Sequence, residues 1–204
     1  MAEKYKKDKE TSEQESFSGA YGFVIQPDQK TQVEAENLAK RLAPSAEFLV
    51  QNPHITLFYA KFENLPKDVV EKTLLELKAN ERVNLSLNTL QVYGERFIFW
   101  NIEDKDKLRN AHEKALETAK FLNQVEIANA IEEGLKLTQK EQDNIRRFGH
   151  PLVLNDYLPH ITLAYDGNGI VLSSQKNSEP WEMKIDKIHF AEMGPYGSVR
   201  KIIL

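Results

Sequence analysis

Cysteine is absent from the 204 residues, so disulfides and thiolate-bound metals are excluded and the redox compartment is left open. No apolar run approaches the ~18–20 residues that cross a bilayer, and the first residues lack the apolar core of a secretory leader. Excess positive charge is missing too. With 27 Lys and Arg against 31 Asp and Glu, the net charge of −4 argues against a protein that coats nucleic acid with a basic surface. A small nucleotide or an RNA end held in a local pocket remains compatible. The nine glycines build no phosphate-cradling loop of the Walker or dinucleotide type. Metal-ligand spacing is also lacking, with no His-x-His and no His-Glu-x-x-His. These absences predict a soluble, cytoplasmic protein working without metal or other cofactor.

One stretch occurs twice. Residues 53–59 read Pro-His-Ile-Thr-Leu-Phe-Tyr and residues 159–165 read Pro-His-Ile-Thr-Leu-Ala-Tyr, identical at six of seven positions. From average residue usage, chance repetition of a His-Ile-Thr-Leu tetrapeptide is about a one-in-a-thousand event, so the pair marks an internal duplication. Ile, Thr, Leu, Phe and Tyr favour strands, and Pro fits a strand's first residue. Side chains two apart on a strand share a face. His54 and Thr56 therefore point one way and Ile55 and Leu57 the other; His160 and Thr162 oppose Ile161 and Leu163 in the same manner. Each copy has an apolar face to bury and a face carrying an imidazole beside a hydroxyl. Laid side by side about a pseudo-two-fold axis, the copies would put two His and two Thr in one cleft.

Around these strands the chain reads as α+β. Residues 1–18 are charged and polar, and a disordered tail is expected there. Strands are predicted over 20–26, 46–60, 83–93, 96–103, 181–191 and 198–204. Helices are predicted from a cap at Thr31 to residue 42, over 67–79 and over 106–121. His112, on the third helix, reads as a solvated or packed histidine. The polar, helix-prone segment 125–150 reads either as an insertion overhanging the cleft or as a solvated surface helix. Residues 19–204 are thus expected to form a single bilobal domain, a monomer with two facing antiparallel sheets and helices on the outer sides.

Two His-x-Thr-Leu strands about a hundred residues apart, in an α+β chain near this length, resemble the 2H phosphoesterase superfamily, which includes the bacterial 2′–5′ RNA ligase-like proteins. The run Arg96 to Trp100 looks like that family's central hairpin strand, and the turn Gly194-Pro195-Tyr196 like its C-terminal hairpin. Segment 125–150 looks longer than in compact members. The resemblance implies a pseudo-symmetric fold and metal-free action on 2′,3′-cyclic phosphates, 2′–5′ linkages or related cyclic nucleotide diesters. The residues support that chemistry independently. In-line displacement at phosphorus needs a base on the attacking oxygen and an acid on the leaving oxygen, roles that two imidazoles fill near neutral pH. Charge gathering on the non-bridging oxygens needs donors, which Thr56 and Thr162 supply. His54 and His160 are accordingly the expected acid–base pair, with the order open, and Thr56 and Thr162 the phosphate-binding residues. Phe58, Arg96, Trp100, Tyr196 and Phe23 are candidate substrate-binding residues, with core packing the competing reading of each aromatic. The expected partner is an RNA end or a small nucleotide. Hydrolysis of cyclic di- or oligonucleotide messengers is a second reading, and a non-catalytic nucleotide or RNA-end binding module a third.

Overall fold

The computed structural model describes residues 15–124, 138–172 and 180–204. The expected tail over 1–14 and residues 125–137 of the polar segment lie outside the described residues. Among the described residues the strands are β1 (Ser16–Pro27), β2 (Phe48–Leu49), β3 (Ile55–Pro66), β4 (Asn84–Tyr93), β5 (Phe97–Ile102), β6 (His160–Tyr165), β7 (Trp181–Met193) and β8 (Val199–Ile202). The α-helices set out among them are α1 (Gln29–Leu42), α2 (Lys67–Leu77), α3 (Asp106–Leu116) and α4 (Gln139–Phe148).

The two antiparallel sheets are built from an exchange between the halves of the chain. In the first, β1 pairs with β3 and with β7, and β8 adds to β7. In the second, β5 pairs with β6 and with β4, and β2 adds to β6. Each half therefore lends strands to the other half's sheet, β2 and β4 from the first half and β7 and β8 from the second. Two further pairings join the sheets at their edges: β4 with β7 over Asn84–Leu87, and β3 with β6 at the single pair Ile55↔Ile161. An internal two-fold exchanges β1 with β5, β3 with β6 and β4 with β7. It passes between Ile55 and Ile161, the same position in the two copies of the repeat. α1 packs on β6 and β2, while α3, its counterpart, packs on β3.

Local chemistry places these elements. The Asp28 side chain, not Thr31, caps α1: Oδ1 accepts from the Thr31 amide at 3.0 Å, and Oδ2 accepts from the Lys184 amide of β7 at 2.6 Å. One carboxylate thus ties a helix end to a strand of the other half. The strand expected over 46–60 is interrupted between β2 and β3, where Pro53 offers no amide to a ladder. β1 starts at Ser16, so residues 16–18 of the expected tail are strand. Gly22 is required where β1 crosses β3: a Cβ there would meet the Tyr59 Cβ at 2.5 Å. α4 opens with a reciprocal capping box between Thr138 and Glu141 and closes at Gly149, whose φ of 71° ends the helix. The core holds Phe23, Phe190, Leu57, Leu85, Trp100, Ile161 and Leu163, all essentially inaccessible.

Candidate active site

The register Ile55↔Ile161 builds the site. Because β3 and β6 are antiparallel, stepping one residue back on one strand and one forward on the other sets His54 across from Thr162 and Thr56 across from His160. Ile55 and Ile161 face the core with no exposed surface, so all four polar side chains leave on the opposite face. The two histidine positions are diagonal neighbours on that face, about 7–8 Å apart. Neither threonine hydroxyl has a hydrogen-bond partner among the described residues, so both are available as donors.

Both copies fix their imidazole by the same local device. The Nδ1 of His54 lies 2.8 Å from the Asn52 carbonyl and the Nδ1 of His160 lies 2.6 Å from the Leu158 carbonyl. In each case the carbonyl belongs to the residue before the proline. A carbonyl can only accept, so each Nδ1 carries a proton and donates it there.

Beyond Nδ1 the two differ. Nε2 of His54 lies 3.0 Å from the Gly197 carbonyl, in the turn Pro195–Gly197 where Tyr196 and Gly197 both have positive φ, 60° and 71°. Nε2 of His160 has no partner among the described residues, and its ring stacks on Phe99 with centroids 3.5 Å apart. The two-fold counterpart of Phe99 is Val24, since Val24 is the register partner of Thr56 as Phe99 is of Thr162. His54 has no stacked ring in that place. Burial pushes the His160 ring down to about 4, with positive charge on His54 acting the same way and the Leu158 carbonyl opposing. Burial also lowers His54, against which the Asn52 and Gly197 carbonyls both pull upward.

Two cavities meet at this face. The larger, about 530 Å³, is bordered by Thr56, His160, Thr162, Arg96, His150 and Tyr196 among others. The smaller, about 130 Å³, lies beside His54 and shares Thr162, Tyr196 and Gly197 with the larger. Tyr196 stacks on Tyr165 at 4.2 Å, and its hydroxyl donates to Glu47. The Arg96 guanidinium has no partner among the described residues. Phe58 borders the larger cavity, although its ring is packed edge-on against Phe62 and only 2 % exposed.

Phe23 and Trp100 are corrections. Phe23 packs on Phe190 in the core and Trp100 against Trp181; both are buried and neither borders the two cavities described. The reason is strand parity: Phe99 faces the cleft, so its neighbour Trp100 faces the other way, and Phe23 has the same relation to Val24. Sequence reasoning counts Phe99 among the aromatics on segments that could reach the cleft, with core packing as the better reading, and gives His150 no role. His112 is packed, not solvated. Its Nε2 accepts from the Leu154 amide at 2.9 Å, so its Nδ1–H donates to the Leu57 carbonyl at 2.6 Å, and its ring stacks on Tyr157 at 4.0 Å. The Tyr157 hydroxyl donates to the Thr56 carbonyl at 3.2 Å. These bonds brace β3 from behind the site. Among the described residues no three His, Asp or Glu side chains converge as metal ligands, and no helix is long and apolar enough to cross a membrane.

A family model described as the 2′-5′ RNA ligase superfamily matches residues 27–195. The fold is similar to that of E. coli LigT in crystal structures complexed with 3′-AMP and with NADP+. Each superposes with a TM-score of 0.54 at 15% identity, over 93% of this chain and 96% of LigT. A crystal structure described as a phosphoesterase superposes with a TM-score of 0.55 at 16% identity, over 92% of this chain and 97% of the other. No curated protein matches in sequence. The expected resemblance to the 2H phosphoesterases is thereby borne out, as is the facing-sheet fold.

Proposed function

Since the chain belongs to the 2′-5′ RNA ligase superfamily, we propose that it is a metal-independent phosphodiesterase that opens a 2′,3′-cyclic phosphate or cleaves a 2′–5′ phosphodiester at an RNA end or in a small oligonucleotide. The observation that carries this reading is the pairing of Ile55 with Ile161. It supports the reading because it puts the two histidines and the two threonines of the repeat on one strand face. That LigT has been crystallised with 3′-AMP and NADP+ agrees with a nucleotide-sized substrate.

In this mechanism Thr56 and Thr162 donate to the non-bridging oxygens, whose charge grows as phosphorus becomes five-coordinate. One imidazole takes the proton of the attacking water, the new P–O bond forms, and the bond to the leaving ribose oxygen breaks. The other imidazole protonates that oxygen. The product is a ribose monophosphate with one free hydroxyl, and the two rings end with their protonation states exchanged. The surroundings favour His160 as the base and His54 as the acid. His160 is held neutral against Phe99 with an open Nε2 lone pair. Two carbonyls face the two nitrogens of His54, an arrangement that suits a ring carrying both protons.

The test is turnover of nucleoside 2′,3′-cyclic phosphates, 2′–5′ dinucleotides and cyclic dinucleotides in the presence of a chelator, by the wild type and by His54→Ala. Chelator-resistant turnover of either of the first two, abolished in the variant, is the expected result. Turnover confined to cyclic dinucleotides would move the assignment to the messenger-hydrolase reading. Binding without turnover would leave a binding module.

A further inference from the structure

Two histidines border the larger cavity, and only one of them, His160, belongs to the repeat. The other, His150, follows the helix-ending Gly149 and is partly buried. Its Nδ1 accepts a hydrogen bond from the Leu152 amide at 3.2 Å. A nitrogen that accepts has no proton, so in the neutral ring the proton is on Nε2. No described residue accepts from that Nε2–H. The Tyr59 ring stands edge-on to the imidazole with centroids 5.0 Å apart. Pro151, Leu152, Ile145 and Tyr157 make the adjoining wall apolar. The result is an apolar, aromatic pocket with one fixed donor in it, the pattern by which pockets select the orientation of a flat heterocycle.

Burial, reinforced by positive charge on His160 and on His112, holds His150 down to about 3, so the ring stays neutral at any working pH. A residue meant to hold phosphate would gain from a charge; this one is kept from having it. The cavity, about 530 Å³, is also far larger than a phosphate needs. We infer that His150 is a specificity-determining residue whose Nε2–H donates to an uncharged ring nitrogen or carbonyl of the nucleobase attached to the phosphate held between His54 and His160. The inference rests on the phosphodiesterase reading for the position of that phosphate, and it goes beyond that reading by naming what the neighbouring wall recognises.

The experiment compares wild type with His150→Asn. Asn can still accept from the amide two residues on, as in an Asx turn, but is too short to bring a donor to where the imidazole Nε2 lies. The probes are the four nucleoside 2′,3′-cyclic phosphates and a base-free ribose 2′,3′-cyclic phosphate. We expect the wild type to prefer certain bases. In the variant kcat/KM on those bases should fall about three- to tenfold through KM, the loss of one hydrogen bond, with no change on the base-free probe. An equal fall on the base-free probe, or no fall on any, overturns the inference. If the wild type turns over none of them, the hydrolase reading fails by itself. The inference is then decided by titrating nucleoside 3′-monophosphates into both proteins, where unequal base affinities in the wild type that the variant equalises support it and identical affinities overturn it. Long-range proton–nitrogen correlations offer a separate check: an Nε2-protonated His150 is required, and an Nδ1-protonated one refutes the argument.

Discussion

Holding imidazoles neutral in a closed cleft makes the fold sensitive to mild acid, by an amount the structure allows to be worked out. His160 is held at about 4 and His150 at about 3, against an ordinary value of 6.5. For a group whose folded value is depressed, the unfolded chain binds the proton first, so stability falls as pH drops below the unfolded value and levels off only past the folded one. Each pH unit in that window costs about 1.4 kcal/mol per ring. Going from about pH 7.5 to about pH 5 therefore removes about 2 kcal/mol for each of the two rings, or about 4 kcal/mol together. His54 and His112 are lowered by burial as well and act in the same direction. Carboxylates contribute little there, because their unfolded values lie near about 4.

Against a whole-domain stability of about 5–15 kcal/mol, this is a large fraction. For a chain of this length it corresponds to a drop in Tm on the order of 10 °C. The assay is urea unfolding followed by circular dichroism at the two pH values, for wild type and His150→Asn. The variant lacks one of the rings that resist protonation, so its loss between the two pH values should be smaller by about 2 kcal/mol, whatever the substitution does to stability at neutral pH. Equal midpoints for the wild type at both pH values, or the same loss in both proteins, would refute the claim that these rings are kept neutral by burial.

Four further outcomes are expected. His54→Ala and His160→Ala should each lower kcat by about 10²–10⁴-fold, and the double variant should be little worse than either single one, because acid and base act in one step; multiplicative losses in steady-state kinetics would deny the partnership. Phe99→Ala should expose the His160 ring to water and move the acid limb of the kcat/KM profile upward from about 4; an unmoved limb would mean that Phe99 does not shape the base. Tyr196→Ala, which removes the stack on Tyr165 beside the Gly197 carbonyl, should cost about tenfold in kcat, the size of one strong positioning contact, whereas Tyr196→Phe, which keeps the stack, should stay within about twofold; equal rates for the two would break the link to His54. Asp28→Ala removes a cap that also bonds β7 and should cost about 1–2 kcal/mol in chemical denaturation, with activity at low temperature retained; a neutral effect would show the cap to be replaceable.

The sequence made the site's centre legible because a duplicated strand carries its own geometry. Period-two alternation assigns His54, Thr56, His160 and Thr162 to one face, and the two-fold that the duplication implies pairs the strands at their equivalent isoleucines. Parity relative to another strand is not contained in a single strand's pattern. Trp100 and Phe99 are both aromatic on a strand buried on its two faces, where alternation disappears, and only the register Phe99↔Thr162 tells which one faces the cleft. Residues delivered from outside the repeat were hidden for another reason. His150 reaches the cavity through the helix-ending Gly149 and a turn closed by its own side chain, a route with no periodic signature. The exchange of β4 and β7 between sheets was equally silent, since half-buried strands read alike whichever sheet receives them.

In a perfectly symmetric pair of interacting histidines the two titration steps would belong to the pair, and neither ring would be singled out as donor or acceptor. This site departs from symmetry where that difficulty arises. The strands, the threonines and the carbonyl that fixes each Nδ1 are repeated, so the geometry proposed to capture phosphate is duplicated. The surroundings of the two Nε2 atoms are not. One faces the Gly197 carbonyl of a turn with two consecutive left-handed residues; the other is open beside Phe99, where the first half has Val24. A carbonyl favours the protonated ring and an aromatic plate favours the neutral one, so both departures separate the two rings in the same sense. Exchanging the surroundings, with Phe99→Val and Val24→Phe in one chain, should narrow the separation between the limbs of the pH–rate profile. A profile whose limbs stay where they were would place the origin of the asymmetry in the substrate rather than in the protein.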